Sequence, residues 1–261
     1  MDRATLEHAA HRLRIAEETG VACAPVRDLL EGGGPEDAYA VQEINTTLEL
    51  AAGAEVAGWK IGLTAEAVRC QLGVDQPDFG VLLRHRGFVS GEPISLGGLL
   101  QPRIEAEVGF VLARDLPDRP IDAADVVAAT DHVVVVLEVP DSRIAGWDIT
   151  LLDTIADNAS SGRFVVGTTP VSLAGVDLRS VAMELSDGNQ VVSAGTGVAC
   201  MGDPVAAVVW LANTLLALGR TLLAGELILS GALGAMVPVS GPSGFTATMS
   251  GLGTVSAEFC A

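Results

Sequence analysis

Glu105 and Glu107 stand two residues apart in RIEAEVGFVL, a segment whose β-branched apolar residues predict a strand. Residues i and i+2 of a strand point to one face, and strand rise sets their Cα atoms ~6.6 Å apart. Two glutamate side chains can close that gap on one cation. Glu138 comes at the end of HVVVVLEV, a run that predicts a buried strand. A carboxylate in such a place must be paired, protonated or bound to metal. Three carboxylates without a histidine would form a hard, all-oxygen site, suited to Mg²⁺ or Mn²⁺ rather than zinc. The same pattern also fits a solvent-facing glutamate pair beside an unrelated, salt-bridged Glu138.

Lys60, in GWKIG, is the sole lysine; the other basic residues are arginines. A lysine is a compact donor whose pKa responds to burial, which suits proton transfer or carboxylate binding; it is equally an ordinary surface residue. Asp78, in the proline- and glycine-bearing stretch DQPDFG, reads as a turn acid. It would serve as a loop-borne base or simply shape the turn. Asp157, Asn158, Ser160 and Ser161 crowd DTIADNASSG, a polar loop or helix end that could orient substrate or water. Other chemistries lack their residues. The four histidines form no HExxH arrangement, and no GxSxG elbow starts a serine hydrolase. Gly195-Thr196-Gly197 lacks the third glycine of a dinucleotide loop, because Cys200 occupies that place.

These side chains must be positioned by two kinds of element. Leu6, Ala9, Ala10, Leu13 and Ala16 recur at helical spacing. Gly32–Gly34 break the chain, Pro35 suits a first helical turn, and Val41, Ile44 and Leu48 give a second helix its stripe. Thr64 can cap a short helix ending at Gly73. From about residue 80 the pattern turns to strands, interrupted by a helix capped by Asp122 and a longer one opened by Asp203-Pro204. The reading is α+β, a helical N-terminal region over residues 1–75 on a strand-rich body over 76–261. With 261 residues, 49% of them hydrophobic, the chain can bury a large core. A formal charge of −18 excludes binding nucleic acid by counterion release and disfavours anionic membranes. It would also repel an acidic substrate, unless a metal or local cation reverses the field. The cysteines Cys23, Cys70, Cys200 and Cys260 form no CxxC pair, which fits a reducing cytoplasm. The N-terminus lacks the apolar stretch of a signal peptide.

Taken in order, GWKIGLT (58–64), GVDQPDFG (73–80), QPRIEAEVGFVL (101–112), LEVPDSR (137–143), DTIADNASSG (153–162) and LILSGALGAMVPV (227–239) resemble the 2-hydroxypenta-2,4-dienoate (2-keto-4-pentenoate) hydratases of the fumarylacetoacetase-like superfamily. The likeness runs from about Tyr39 to the C-terminus. It implies a mixed β-sheet roll with a smaller helical N-terminal region. It further implies a divalent metal on Glu105, Glu107 and Glu138, with Lys60, Asp78 and Ser160 at work beside it. The implied substrate is a small 2-hydroxydienoate from meta-cleavage of aromatic or steroid rings, and the implied assembly is a homo-oligomer, pentamer or decamer. Two other readings stay open: decarboxylation of 2-oxohex-3-enedioate (4-oxalocrotonate), or a non-catalytic subunit of a pathway complex. A second substrate carboxylate would be disfavoured by Asp78 unless an arginine such as Arg103 reaches inward.

Overall fold

The computed structural model describes residues 1–66, 69, 70, 74 and 76–261. The chain opens with two helices, α1 (Arg3–Thr19) and α2 (Pro35–Ala51). Asp2 caps α1 by accepting from Thr5 N at 2.8 Å, and Pro35 occupies the first turn of α2. Ala9, Ala10, Leu13 and Ala16 are buried as their spacing predicts. Val41 of α2 is also buried, but Leu48 is 46% exposed. These helices pack with Ile144 and Ile155 as a cluster of their own. The helix expected from Thr64 to Gly73 lies partly outside the described residues.

Strands begin earlier than the sequence pattern indicates. β1 (Val56–Gly62) comes ahead of the expected division at residue 75 and lies inside the larger sheet. It is followed by β2 (Asp78–Leu83), β3 (Gly87–Val89), β4 (Pro93–Ser95), β5 (Arg103–Leu112), α3 (Ala123–Ala129), β6 (Thr130–Pro140), α4 (Leu151–Ala156) and β7 (Ser161–Val166). The remainder is β8 (Ala182–Asp187), β9 (Gln190–Thr196), α5 (Pro204–Ala217), β10 (Leu227–Ala232), β11 (Val237–Pro238), β12 (Ser243–Met249) and β13 (Gly253–Cys260).

The large sheet has the order β2-β1-β10-β5-β6-β7-β3, with β11 added to β5; a second sheet runs β4-β13-β12-β8-β9. β1 is parallel to β10 and antiparallel to β2, so the large sheet is mixed. It curls until β2 touches β7. Its outer face carries Trp59, Ile61, Phe110, Val135 and Leu137, which pack with Met183, Leu185, Phe245 and Val255 of the second sheet and with α5 in the main core. Its inner face is plugged by Leu82, Val134, Val136, Phe164, Leu227 and Leu229. Period-2 alternation along β5 and β6 places the acidic residues on this same inner face, beyond the plug. The architecture is the α+β roll that the resemblance implies.

Candidate metal centre and active site

The three glutamates converge because two antiparallel strands are in register. Glu105 of β5 lies directly opposite Glu138 of β6, and Glu107 opposite Val136. One carboxylate oxygen from each glutamate falls within 4.8 Å of the others. Glu107 and Glu138 are fully buried, and Glu105 is half-buried toward the cavity. Glu107 Oε2 accepts from Gly231 N at 2.7 Å. Among the described residues, Glu107 Oε1 and both oxygens of Glu138 have no hydrogen-bond partner. Burial, followed by repulsion from Glu138, pushes Glu105 up to about 8 and Glu107 well above the usual carboxylate range. Orphaned, mutually repelling carboxylate oxygens in a dry place are the environment a divalent cation stabilises, and an all-carboxylate donor set fits Mg²⁺ or Mn²⁺.

Lys60 is on β1 and is 3% exposed, not at the surface. Its Nζ lies 3.0 Å from Glu138 Oε1, out of line for a hydrogen bond to that oxygen, and donates to Ala159 O at 2.8 Å. Burial alone would lower its pKa; Glu138, Asp78, Glu105 and Glu107 outweigh burial and raise it, so the ammonium stays charged. Asp78 corrects the turn reading: it is the first residue of β2 and is 1% exposed. Pro77 precedes the strand, and Gly80 serves packing, since a methyl group on it would sit 2.4 Å from Asn158 O. Asp78 Oδ2 accepts from Thr154 Oγ1 at 3.0 Å, while Oδ1 has no partner among the described residues. Burial raises its pKa, with Lys60 and Thr154 partly opposing.

Ser160 closes a turn in which three successive non-glycine residues are left-handed: Asn158 (φ 56°), Ala159 (φ 50°) and Ser160 (φ 52°). Each such residue costs on the order of 1–3 kcal/mol. The cost is met by a buried polar anchor: Asn158 bonds both backbone groups of Val81, and Asp157 takes Arg143 Nε at 2.5 Å, Ser142 Oγ at 3.2 Å and Ser160 Oγ at 3.3 Å. Thus the turn aims the Ala159 carbonyl at Lys60 and holds the Ser160 hydroxyl at the cavity wall.

Lys60, Asp78, Glu105 and Ser160 all line one cavity of about 430 Å³, with Glu107 and Glu138 deeper in the same cluster. Its outer wall holds two residues that play no firm part in the sequence reading. Arg103 is two residues before Glu105 on the same strand face, and its guanidinium lies 4.4 Å from the centre of the Trp147 ring. Arg103 therefore does reach the cavity, and the charge argument against a dicarboxylate substrate loses its force. Trp147, like Thr154, had no local signal: it meets its partner only through the fold.

Gly62 is the spacer on which Asp78 depends. A methyl group built on it would sit 2.1 Å from Asp78 Oδ1 and 3.5 Å from Lys60 Nζ. Gly62→Ala is expected to lower kcat about tenfold with a near-native thermal midpoint, below the 10²-fold that a 1 Å misplacement can cost. Unchanged kcat would show that Asp78 can shift without consequence.

The fumarylacetoacetate (FAA) hydrolase C-terminal family signature matches residues 65–259. The chain belongs to the fumarylacetoacetate hydrolase family. Lys60 and β1 precede the family-matched segment; the three glutamates, Asp78 and Ser160 lie within it. Family relatives include the 2-keto-4-pentenoate hydratase of Paraburkholderia xenovorans (strain LB400), 50% identical over 97% of this chain and 94% of that one. Another is 2-keto-4-pentenoate hydratase 1 of Dechloromonas aromatica (strain RCB), 48% identical over 97% of this chain and 96% of that one. The solved 4-oxalocrotonate decarboxylase from Pseudomonas putida G7, complexed with magnesium and adipate, matches with a TM-score of 0.95 at 34% identity, over 99% of this chain and 98% of that one.

Proposed function

We propose that this protein is a 2-keto-4-pentenoate hydratase. It adds water to 2-hydroxypenta-2,4-dienoate to give 4-hydroxy-2-oxopentanoate, in the degradation of aromatic or steroid rings after meta-cleavage. The observation that carries the reading is the set of buried glutamate oxygens, without partners among the described residues, behind a small-molecule cavity lined by Lys60 and Asp78. The hydratase relatives, at 48–50% identity over nearly the whole chain, support it. Cytoplasmic location and a homo-oligomer of five or ten chains belong to the same reading.

Glu105, Glu107 and Glu138 would hold Mg²⁺ or Mn²⁺. When bound, the cation supplies Lewis acidity at the substrate's carboxylate and 2-oxygen. The chain's own groups handle the protons. The reaction needs the enol proton removed and C5 protonated, which gives a 2-oxo-3-enoate; water then adds at C4 and a proton at C3. Asp78 Oδ1, an acceptor with no partner among the described residues, belongs to a side chain that lines the cavity and is suited to taking a proton from the enol or from water. Lys60, kept charged by its acidic neighbours, holds the substrate's oxygen end and can return a proton. Ser160, its own proton committed to Asp157, offers its lone pairs to water or substrate. The plug of Leu82, Val134, Val136 and Phe164 closes the inner end to bulk solvent.

A second reading, decarboxylation of 2-oxohex-3-enedioate, would require Arg103, which lines the cavity, to meet the substrate's distal carboxylate. One preparation offered both substrates, with and without Mg²⁺, separates them by loss of diene absorbance and product mass. Hydration is expected to exceed decarboxylation at least ~10-fold in kcat/KM, about 1.4 kcal/mol of transition-state discrimination. Release of CO₂ without 4-hydroxy-2-oxopentanoate would reverse the assignment.

A further inference from the structure

Resting on the hydratase reading, we infer that Arg103 is the receptor for the substrate's C1 carboxylate. Its guanidinium is the cation of the cavity that, among the described residues, pairs with no carboxylate; it rests on Trp147. Lys60 faces Glu138 and gives one donor to Ala159 O, and its remaining donors serve the substrate's 2-oxygen and the proton step. That platform is fixed. Trp147 Nε1 donates to Gln101 O at 3.0 Å, and its backbone is left-handed at φ 57°. An indole under the flat face of a guanidinium holds the cation by cation–π attraction. It leaves the N–H edge free, and that edge is what grips a carboxylate in a planar, bidentate manner.

Position and charge agree. Arg103, Glu105 and Glu107 share one face of β5 in that order, from the outer wall inward. A carboxylate beside the cation site near Glu105 is therefore within reach of Arg103. The hydrocarbon part of the ligand can lie against Ile149, Ala235 and Met236. The carboxylates of Glu105, Glu107, Glu138 and Asp78 are balanced by one divalent ion, Lys60 and Arg103 together. Without Arg103 the loaded site would carry net negative charge before an anionic substrate arrived, on a chain already at −18.

The test uses intact Mg²⁺-loaded protein, the unreactive analogue 2-oxopentanoate in calorimetry, and 2-hydroxypenta-2,4-dienoate and 2-oxohex-3-enedioate in turnover. Arg103→Met is expected to weaken analogue binding ~10-fold or more and to raise KM to match, with kcat within about threefold, the pattern of a lost charge-assisted contact made equally in ground and transition states. Mg²⁺ affinity should stay unchanged, and Arg103→Lys should recover part of the loss. Trp147→Leu, which keeps the charge but removes its platform, should give a smaller rise in KM. Unchanged analogue affinity and KM in Arg103→Met would overturn the inference. So would a fall in kcat at constant KM, or a defect confined to 2-oxohex-3-enedioate, which would place Arg103 at the substrate's far end. A wild-type protein that neither binds the analogue nor consumes the dienoate would remove the hydratase reading, and this assignment with it.

Discussion

Glu107→Gln is expected to lose Mg²⁺-dependent turnover by ~10³-fold or more while the metal-free protein keeps, or raises, its thermal midpoint. The two halves of this result have one cause. Glu107 is fully buried, faces Glu105 and Glu138, and has one oxygen without a partner among the described residues. In the metal-free protein that charge is a burden: it is desolvated and repelled. The amide is nearly the same size. Its oxygen can still accept from Gly231 N, and its new NH₂ can donate to a partnerless oxygen of Glu138. With the cation present the balance reverses, since a hard ion loses a full charge from its ligand set. Several kcal/mol of charge stabilisation correspond to the stated loss in rate. Calorimetric Mg²⁺ affinity, thermal melts with and without metal, and turnover together decide it. Full Mg²⁺-stimulated activity in Glu107→Gln would end the assignment of this residue as a ligand.

Lys60→Met should cut kcat by ~10²-fold or more, within the range of lost acid–base groups. The residue is buried, so the chain will feel its loss as well. Ala159 O would lose its donor and Glu138 its nearest cation, and an unsatisfied buried polar group costs about 1–3 kcal/mol. Saturating Mg²⁺ should recover part of that stability but not the rate, because the ion compensates Glu138 and not proton transfer. Lys60→Arg should remain impaired. A guanidinium is wider than an ammonium and does not release its proton near neutrality, and Lys60 is 3% exposed, so it has little room to grow. A wild-type rate in Lys60→Met would return Lys60 to a purely structural role.

The glutamate cluster was legible because strand alternation and a strand-end carboxylate are local patterns, and register then brought Glu105 opposite Glu138. Lys60 was legible through its rarity, but its strand was not. Gly58 and Gly62 break the β-branched signal of β1, and both are there for close approach: a methyl on Gly58 would meet Leu227 O at 1.8 Å. Asp78 reads as a turn residue for a like reason, since Pro77 and Gly80 imitate a turn around what is the start of β2. The pairing of Arg103 with Trp147 joins residues distant in the chain, and no local pattern encodes it. The left-handed turn at 158–160 is nearly as silent: Asn158 is of a type enriched at positive φ, but Ala159 and Ser160 give no such sign.

β1 lies between β2 and β10 and carries Lys60 into the roll, yet it comes before the segment that defines the family. On the same side of that boundary, Gln42 of α2 donates to Phe79 O and Ile155 O at 3.0 Å each, tying the strand of Asp78 to the helix of Thr154. For anyone recombining such enzymes, the natural seam is therefore misleading. A chimera cut at residue 65 would inherit the cation site from one parent and the ammonium beside it from the other. Grafts that keep specificity must carry the stretch from α2 through Gly62 along with the roll they are meant to complete.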